Sequence, residues 1–217
     1  MSKAILTISS KNYSSWSLRG WLMVKQAGID FEESIVAPDD KDARAEILLL
    51  APSIRVPALI YNGIKVWDTL AIGEFANEIA PKAGILPADQ LQRAHCRSIC
   101  GEMHSGFSSL RSSLPMNIKS HFPNFRVWSK AQADIDRIKE IWSGCLSTYG
   151  GPFLFGSFSI ADAMYAPVVT RLRTYDVKLE GELSDYADRI WSHPFMQEWI
   201  AAARLEADDF EELEVEF

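Results

Sequence analysis

Apolar positions in the first third of the chain switch between two periods. Ala4-Ile5-Leu6-Thr7-Ile8 is a short continuous apolar run, the pattern of a buried strand. Ser15 to Ala27 then reads as a helix stopped by Gly28. Its apolar residues, Trp16, Leu18, Trp21, Leu22, Met23 and Val24, occupy much of the circumference, which predicts burial on more than one side. A second strand is predicted over Phe31 to Val36, and a second helix over Asp42 to Leu50. Ala58-Leu59-Ile60-Tyr61 and Ile64-Lys65-Val66-Trp67 flank Asn62-Gly63, the preferred pair for a tight hairpin turn. Near Asp68-Thr69 another helix begins, with Ile72, Phe75, Ala76 and Ile79 on one face. The order is βαβ followed by ββα: one parallel pairing, an antiparallel hairpin and a covering helix.

The strand signals stop between Pro81 and Pro87, and everything beyond reads as helix. Ile99, Met103, Phe107, Leu110 and Leu114 fall near helical spacing, as do Ile135, Ile138, Trp142, Cys145 and Tyr149. Ser159-Ile160-Ala161-Asp162 has the hydroxyl and acid, three apart, of a capping box. Pro194 opens a last helix carrying Phe195, Trp199, Ile200 and Ala203. The expected organisation is an α/β unit over 1–81, a linker over 82–88 and an all-helical unit over 89–217.

Composition narrows the function. The 217 residues hold no apolar run near the ~20 that a membrane-spanning helix needs, and Met1 to Thr7 is no signal peptide. Three cysteines, Cys96, Cys100 and Cys145, suit a reducing compartment, so a cytoplasmic protein is expected. A formal net charge of −7 argues against nucleic acid as a partner. Cys96, Cys100 and His104 recur at i, i+4 and i+8, but small buried residues are the commoner explanation, and no metal is expected. The acidic stretch from Glu206 to Phe217 reads as a solvated tail, with a flap over a substrate cleft as the alternative.

Three separated segments resemble the glutathione transferases. Arg55-Val56-Pro57-Ala58-Leu59 matches a basic-Val-Pro-x-Leu segment whose proline is cis in that family. Asp68-Thr69 followed by Leu70-Ala71-Ile72 matches an acid-Ser-x-Ala-Ile segment, with Thr in place of Ser. Ser159-Ile160-Ala161-Asp162 is similar to a capping motif whose role is folding. The resemblance implies a thioredoxin-like N-terminal domain and a helical C-terminal domain, in a homodimer. It also implies glutathione as co-substrate, a small hydrophobic electrophile, no tightly bound cofactor and a role in detoxification. Glutathione would be held by Tyr13, Arg55, the Val56 backbone beside Pro57, Asp68 and Thr69. A helix N-terminus with a hydroxyl suits its γ-glutamyl carboxylate, and Asp68 its ammonium.

The implied chemistry is stabilisation of the glutathione thiolate. A thiol near pKa ~8.5 is mostly un-ionised at neutral pH, and a hydroxyl donor with a helix N-terminus favours the anion. The donor belongs to the loop Ser9-Ser10-Lys11-Asn12-Tyr13-Ser14-Ser15-Trp16. Ser14 and Ser15 resemble the Ser-Ser pair of the zeta-like class, which has Cys where this chain has Trp16. Ser14 is the first candidate, followed by Ser15, Tyr13 and Asn12; simple helix capping is the alternative role for either serine. Tyr13, Trp16, Met103, Phe107, Arg111 and Met116 are candidates for the electrophile pocket, or for core. With no cysteine before Cys96, thiol-disulfide chemistry at this loop is excluded. The expected activity is conjugation, with glutathione-dependent isomerisation of the maleylacetoacetate isomerase kind, or dehalogenation, using the same thiolate. A noncatalytic binding or regulatory role on the same fold is the rival.

Overall fold

The computed structural model describes residues 4–36 and 56–207. The predicted helix from Asp42 to Leu50, and Arg55, lie outside them. A four-stranded mixed sheet runs β2-β1-β3-β4: β1 (Ala4–Ile8), β2 (Phe31–Ile35), β3 (Ala58–Tyr61) and β4 (Ile64–Trp67). β1 pairs in parallel with β2 and antiparallel with β3, placing Thr7 opposite Ala58. Asn62 and Gly63 both take positive φ, as the tight hairpin between β3 and β4 demands.

Helix α1 (Ser15–Gln26) packs against α2 (Thr69–Ile79) and against two helices of the second half, α6 (Ile160–Thr174) and α8 (Pro194–Leu205). The burial predicted on more than one side follows from these contacts. Gly20 is where α1 meets the start of β3. A Cβ there would lie 2.5 Å from Pro57 Cγ, so only glycine admits the approach.

A short 3-10 turn (Pro81–Ala83) leads from α2 to α3 (Gln90–Ser105), whose first amides are capped by Asp89. Ile85, between them, accepts the Ile160 N–H through its carbonyl at 2.8 Å and joins this segment to the start of α6. The remaining helices are α4 (Ser108–Ser113), α5 (Ser129–Tyr149) and α7 (Gly181–Ser192). α6 is buried along almost its whole length and touches α1, α3 and α7.

One prediction changes here. The apolar row from Ile99 to Leu114 reads as one helix, but the chain breaks at Gly106-Phe107 into α3 and α4, with Phe107 at φ 59°. Arg111 supplies the physical reason. Its Nη2 donates to the carbonyls of Met103, His104 and Gly106, satisfying the end of α3 that a continuous helix would have satisfied itself. No helix among the described residues is long and apolar enough to cross a membrane.

Candidate functional site

The loop from β1 to α1 is wound tightly. Ser14 is the N-cap of α1: its Oγ accepts the Ser17 N–H at 3.2 Å and shares a 2.9 Å hydrogen bond with Ser17 Oγ. Ser17 Oγ in turn accepts the Ser9 N–H at 3.1 Å. Capping and thiol activation therefore need not exclude each other at Ser14. The two hydroxyls can reverse their shared bond, with Ser17 donating to Ser14 and the Ser14 hydrogen turned to a ligand.

Ser15 is placed differently. It is fully buried, and its Oγ accepts from Arg19 Nη1 at 3.3 Å. Arg19 is buried too and donates through Nε to the Met164 carbonyl, so Ser15 helps anchor α1 to α6. Asn12 is also built into the fold. Its amide donates to Asn117 Oδ1, and its Oδ1 accepts the Lys119 N–H at 2.9 Å. Tyr13 is half-buried, with its N–H on Ser10 Oγ.

The second element is the start of β3 and α2. The Val56–Pro57 peptide is cis. Asp68 caps α2 from a positive φ of 76°, a conformation costing a non-glycine residue of order 1–3 kcal/mol. Its Oδ1 accepts from the N–H groups of Leu70 and Ala71, and its Oδ2 lies 2.5 Å from His104 Nε2. Thr69 is buried, and its hydroxyl has no hydrogen-bond partner among the described residues. A buried hydroxyl left unpaired at the positive end of a helix marks where an anion would complete the structure.

His104 joins the two elements. Its ring meets Trp16 edge-on at 5.1 Å while its Nε2 reaches Asp68. The Trp16 ring also has the Arg19 and Arg111 guanidinium carbons within 4.5 and 5.1 Å of its centre. Trp16, Arg111, His104 and Asp68 are thus brought together. Met103 and Phe107 are not pocket walls: they are 0% and 7% exposed and belong to the core, as does Met116. Their side chains fill the junction of α3 and α4, so the helical row that suggested a lining is a packing face.

His104 shares α3 with Cys96 and Cys100, but its ring serves the start of α2 and not the cysteines. Cys96 and Cys100 are buried, and His104 turns to Asp68. The Cys100 and Cys145 thiols are poor nucleophiles. A hydrogen bond to Cys96 and burial raise the Cys100 thiol, and burial pushes Cys145 up to about 12. The residues that sequence reasoning missed are Ser10, Ser17 and Glu206. Ser17 had a usable signal, standing three positions after Ser14 where a cap's partner belongs. Glu206 had none, because its partners lie almost two hundred positions away.

Comparisons with known proteins bear on the family and the fold. The N-terminal domain of glutathione S-transferases matches residues 13–79, and the C-terminal domain matches residues 124–202. Maleylacetoacetate isomerase of Rattus norvegicus is 29% identical over 181 residues, covering 82% of each chain. A probable maleylacetoacetate isomerase of Caenorhabditis elegans is 29% identical over 110 residues, and there the chain spans about half the relative's length (50%). Among solved structures, a glutathione transferase homologue from Burkholderia gl BGR1 with bound glutathione superposes with a TM-score of 0.72. It is 23% identical and covers 94% of this chain and 99% of its own. A glutathione S-transferase from the Antarctic clam Laternula elliptica gives 0.70 at 22% identity, covering 95% and 96%. Two domain matches in the order found in the fold place this chain in the glutathione S-transferase superfamily.

Proposed function

We propose that the site binds glutathione and stabilises its thiolate, through the Ser14 hydroxyl, for attack on a small electrophile. The observation that carries this reading is the start of α2, where a strained Asp68 precedes a buried Thr69 hydroxyl that has no partner among the described residues. The γ-glutamyl carboxylate would accept from Thr69 and the helix N-terminus, and the ammonium would meet Asp68, which His104 already orients. The Val56 backbone beside cis-Pro57 would pair with the cysteinyl backbone as an added strand. Arg55 belongs to this proposal by sequence alone.

In the chemical step, the thiolate sulfur adds to an electrophilic carbon. The hydroxyl of Ser14 donates a hydrogen bond to the sulfur before attack, lowering its proton affinity by roughly 1.4 kcal/mol for each pKa unit. Release of a leaving group gives conjugation. Addition to a double bond conjugated with a carbonyl, rotation and expulsion of the same thiolate gives isomerisation and regenerates glutathione. The maleylacetoacetate isomerases among the relatives favour the second outcome. Trp16, where the zeta-like class that the Ser14-Ser15 pair resembles has Cys, points to a differently shaped electrophile pocket. Trp16 and Arg111 would form its wall. The buried protein thiols support glutathione as the source of the nucleophile. We further propose a homodimer.

The test is steady-state turnover of a conjugated enedione and of an aryl halide with glutathione, in wild type, Ser14→Ala and Ser15→Ala. Ser14→Ala should lower kcat by a factor on the order of a hundred or more with native folding retained. Ser15→Ala should act mainly on stability. Full activity in a folded Ser14→Ala protein would remove Ser14 from the chemistry.

A further inference from the structure

Just beyond α8, the Glu206 carboxylate is docked on the loop that carries Ser14. Its Oε2 accepts the Ser10 hydroxyl at 2.7 Å and the Asn12 N–H at 3.1 Å, and its Oε1 accepts the Lys11 N–H at 2.6 Å. The Glu206 carbonyl accepts from Lys119 Nζ. From within α8, the Trp199 indole N–H donates to the Lys11 carbonyl at 2.8 Å. Both ends of this short segment thus hold one loop.

Ser10 shows what the carboxylate does. A hydroxyl has one hydrogen, and the acceptor that takes it decides which way the oxygen lone pairs face. With its hydrogen on Glu206, Ser10 Oγ accepts the N–H groups of Asn12 and Tyr13 at 3.1 and 3.2 Å. The Ser10 carbonyl accepts the Ser14 N–H at 3.0 Å. The four consecutive amides of Lys11, Asn12, Tyr13 and Ser14 therefore all end on Glu206 or Ser10. Ser10, Lys11 and Asn12 are buried, so loss of the carboxylate would leave donors shielded from water, and bonds to an ionised acceptor are the stronger kind.

We infer that Glu206 is a positioning residue for Ser14, a carboxylate latch by which the end of the helical domain fixes the loop proposed to hold the thiolate. The inference rests on the proposed glutathione chemistry for its purpose, and on the hydrogen bonds alone for its geometry. Of the acidic stretch, residues 208–217 lie outside the described residues. Glu206 is a structural ligand of the loop, not part of a solvated run of charge.

The test compares wild type with Glu206→Ala, Glu206→Gln and Ser10→Ala, keeping only variants with native circular dichroism. In the unliganded protein, hydrogen exchange at the amides of residues 11–14 should rise about tenfold or more in Glu206→Ala. The buried amides of α1 beyond its first turn should not change. In the glutathione complex, the thiolate absorbance should titrate about one pH unit higher than in wild type. The thermal shift given by glutathione should persist, because Asp68 and Thr69 are untouched. Glu206→Gln, which keeps one acceptor oxygen, should fall between the two, and Ser10→Ala should reproduce Glu206→Ala. Unchanged exchange in Glu206→Ala would overturn the latch. Raised exchange with an unchanged thiolate titration would overturn the positioning role. A wild type that gains no stability from glutathione would overturn the underlying reading, and this role with it, whatever the exchange data show.

Discussion

Helices α2 and α6 each begin with an acid and a hydroxyl residue, yet the two beginnings are finished differently. At α6, Asp162 is fully buried and its carboxylate accepts four hydrogen bonds: from the Ser159 N–H and O–H, the Leu154 N–H and the Tyr186 hydroxyl. At α2, Asp68 is half in solvent and strained at φ 76°, and the Thr69 hydroxyl beside it is buried without a partner among the described residues. The same local vocabulary builds a closed folding device in one place and an open, costly one in the other. Closure of the hydrogen bonds, rather than the motif, separates a structural cap from a ligand site.

The sharpest way to break this comparison is to remove each acid. Asp162→Ala would orphan four donors in the core, and should cost roughly 3–5 kcal/mol in chemical denaturation. A loss under about 1 kcal/mol would contradict the closed reading. Protonation probes the same carboxyl more gently. Burial pushes Asp162 up to about 6 from an ordinary 3.8, against the pull of its four donors. Between those values the folded protein holds a proton that the unfolded chain releases. Stability from this group is therefore present below the unfolded pKa and falls as pH rises through 4 to 6, by at most about 1.4 kcal/mol per pH unit. Comparing the pH dependence of unfolding in wild type and Asp162→Asn isolates that slope, which should vanish in the variant.

At α2 the effects on stability should be smaller and those on binding larger. Asp68→Gly relieves backbone strain of order 1–3 kcal/mol while losing a cap worth about 1 kcal/mol. The unliganded variant should melt close to wild type or slightly above it, with glutathione affinity lost. A strong destabilisation would show that Asp68 belongs to the same class as Asp162. Thr69→Val should change the stability of the free protein least, within about 0.5 kcal/mol, because the hydroxyl it deletes has no partner among the described residues.

Much of the sheet was readable in the sequence because its signals are local. Asn62-Gly63 dictates a turn that only residues tolerant of positive φ can make, and alternation around it sets the strands. The capping pair Ser159 and Asp162 was readable for the same reason. The break at Gly106-Phe107 was not, since the apolar row continues across it and the Arg111 cap acts back over the break. In the candidate site, Ser14, Asp68 and Thr69 stood out as a helix cap and a helix start. The Glu206 latch and the His104 contact with Asp68 depend on elements that meet only in the folded chain. Burial removed Met103 and Phe107 from the pocket because helical spacing alone cannot distinguish a face turned to ligand from one turned to core.

Glutathione is proposed to complete the open start of α2, and thermal unfolding reads that completion as added stability. Wild type and Thr69→Val would be melted with and without glutathione at about 100 times its dissociation constant for wild type. The account predicts a stabilisation of roughly 2.7 kcal/mol in wild type, and most of it lost in a Thr69→Val protein of unchanged intrinsic stability. An equal shift in both would contradict the role given to Thr69, and no shift in wild type would contradict the glutathione site itself.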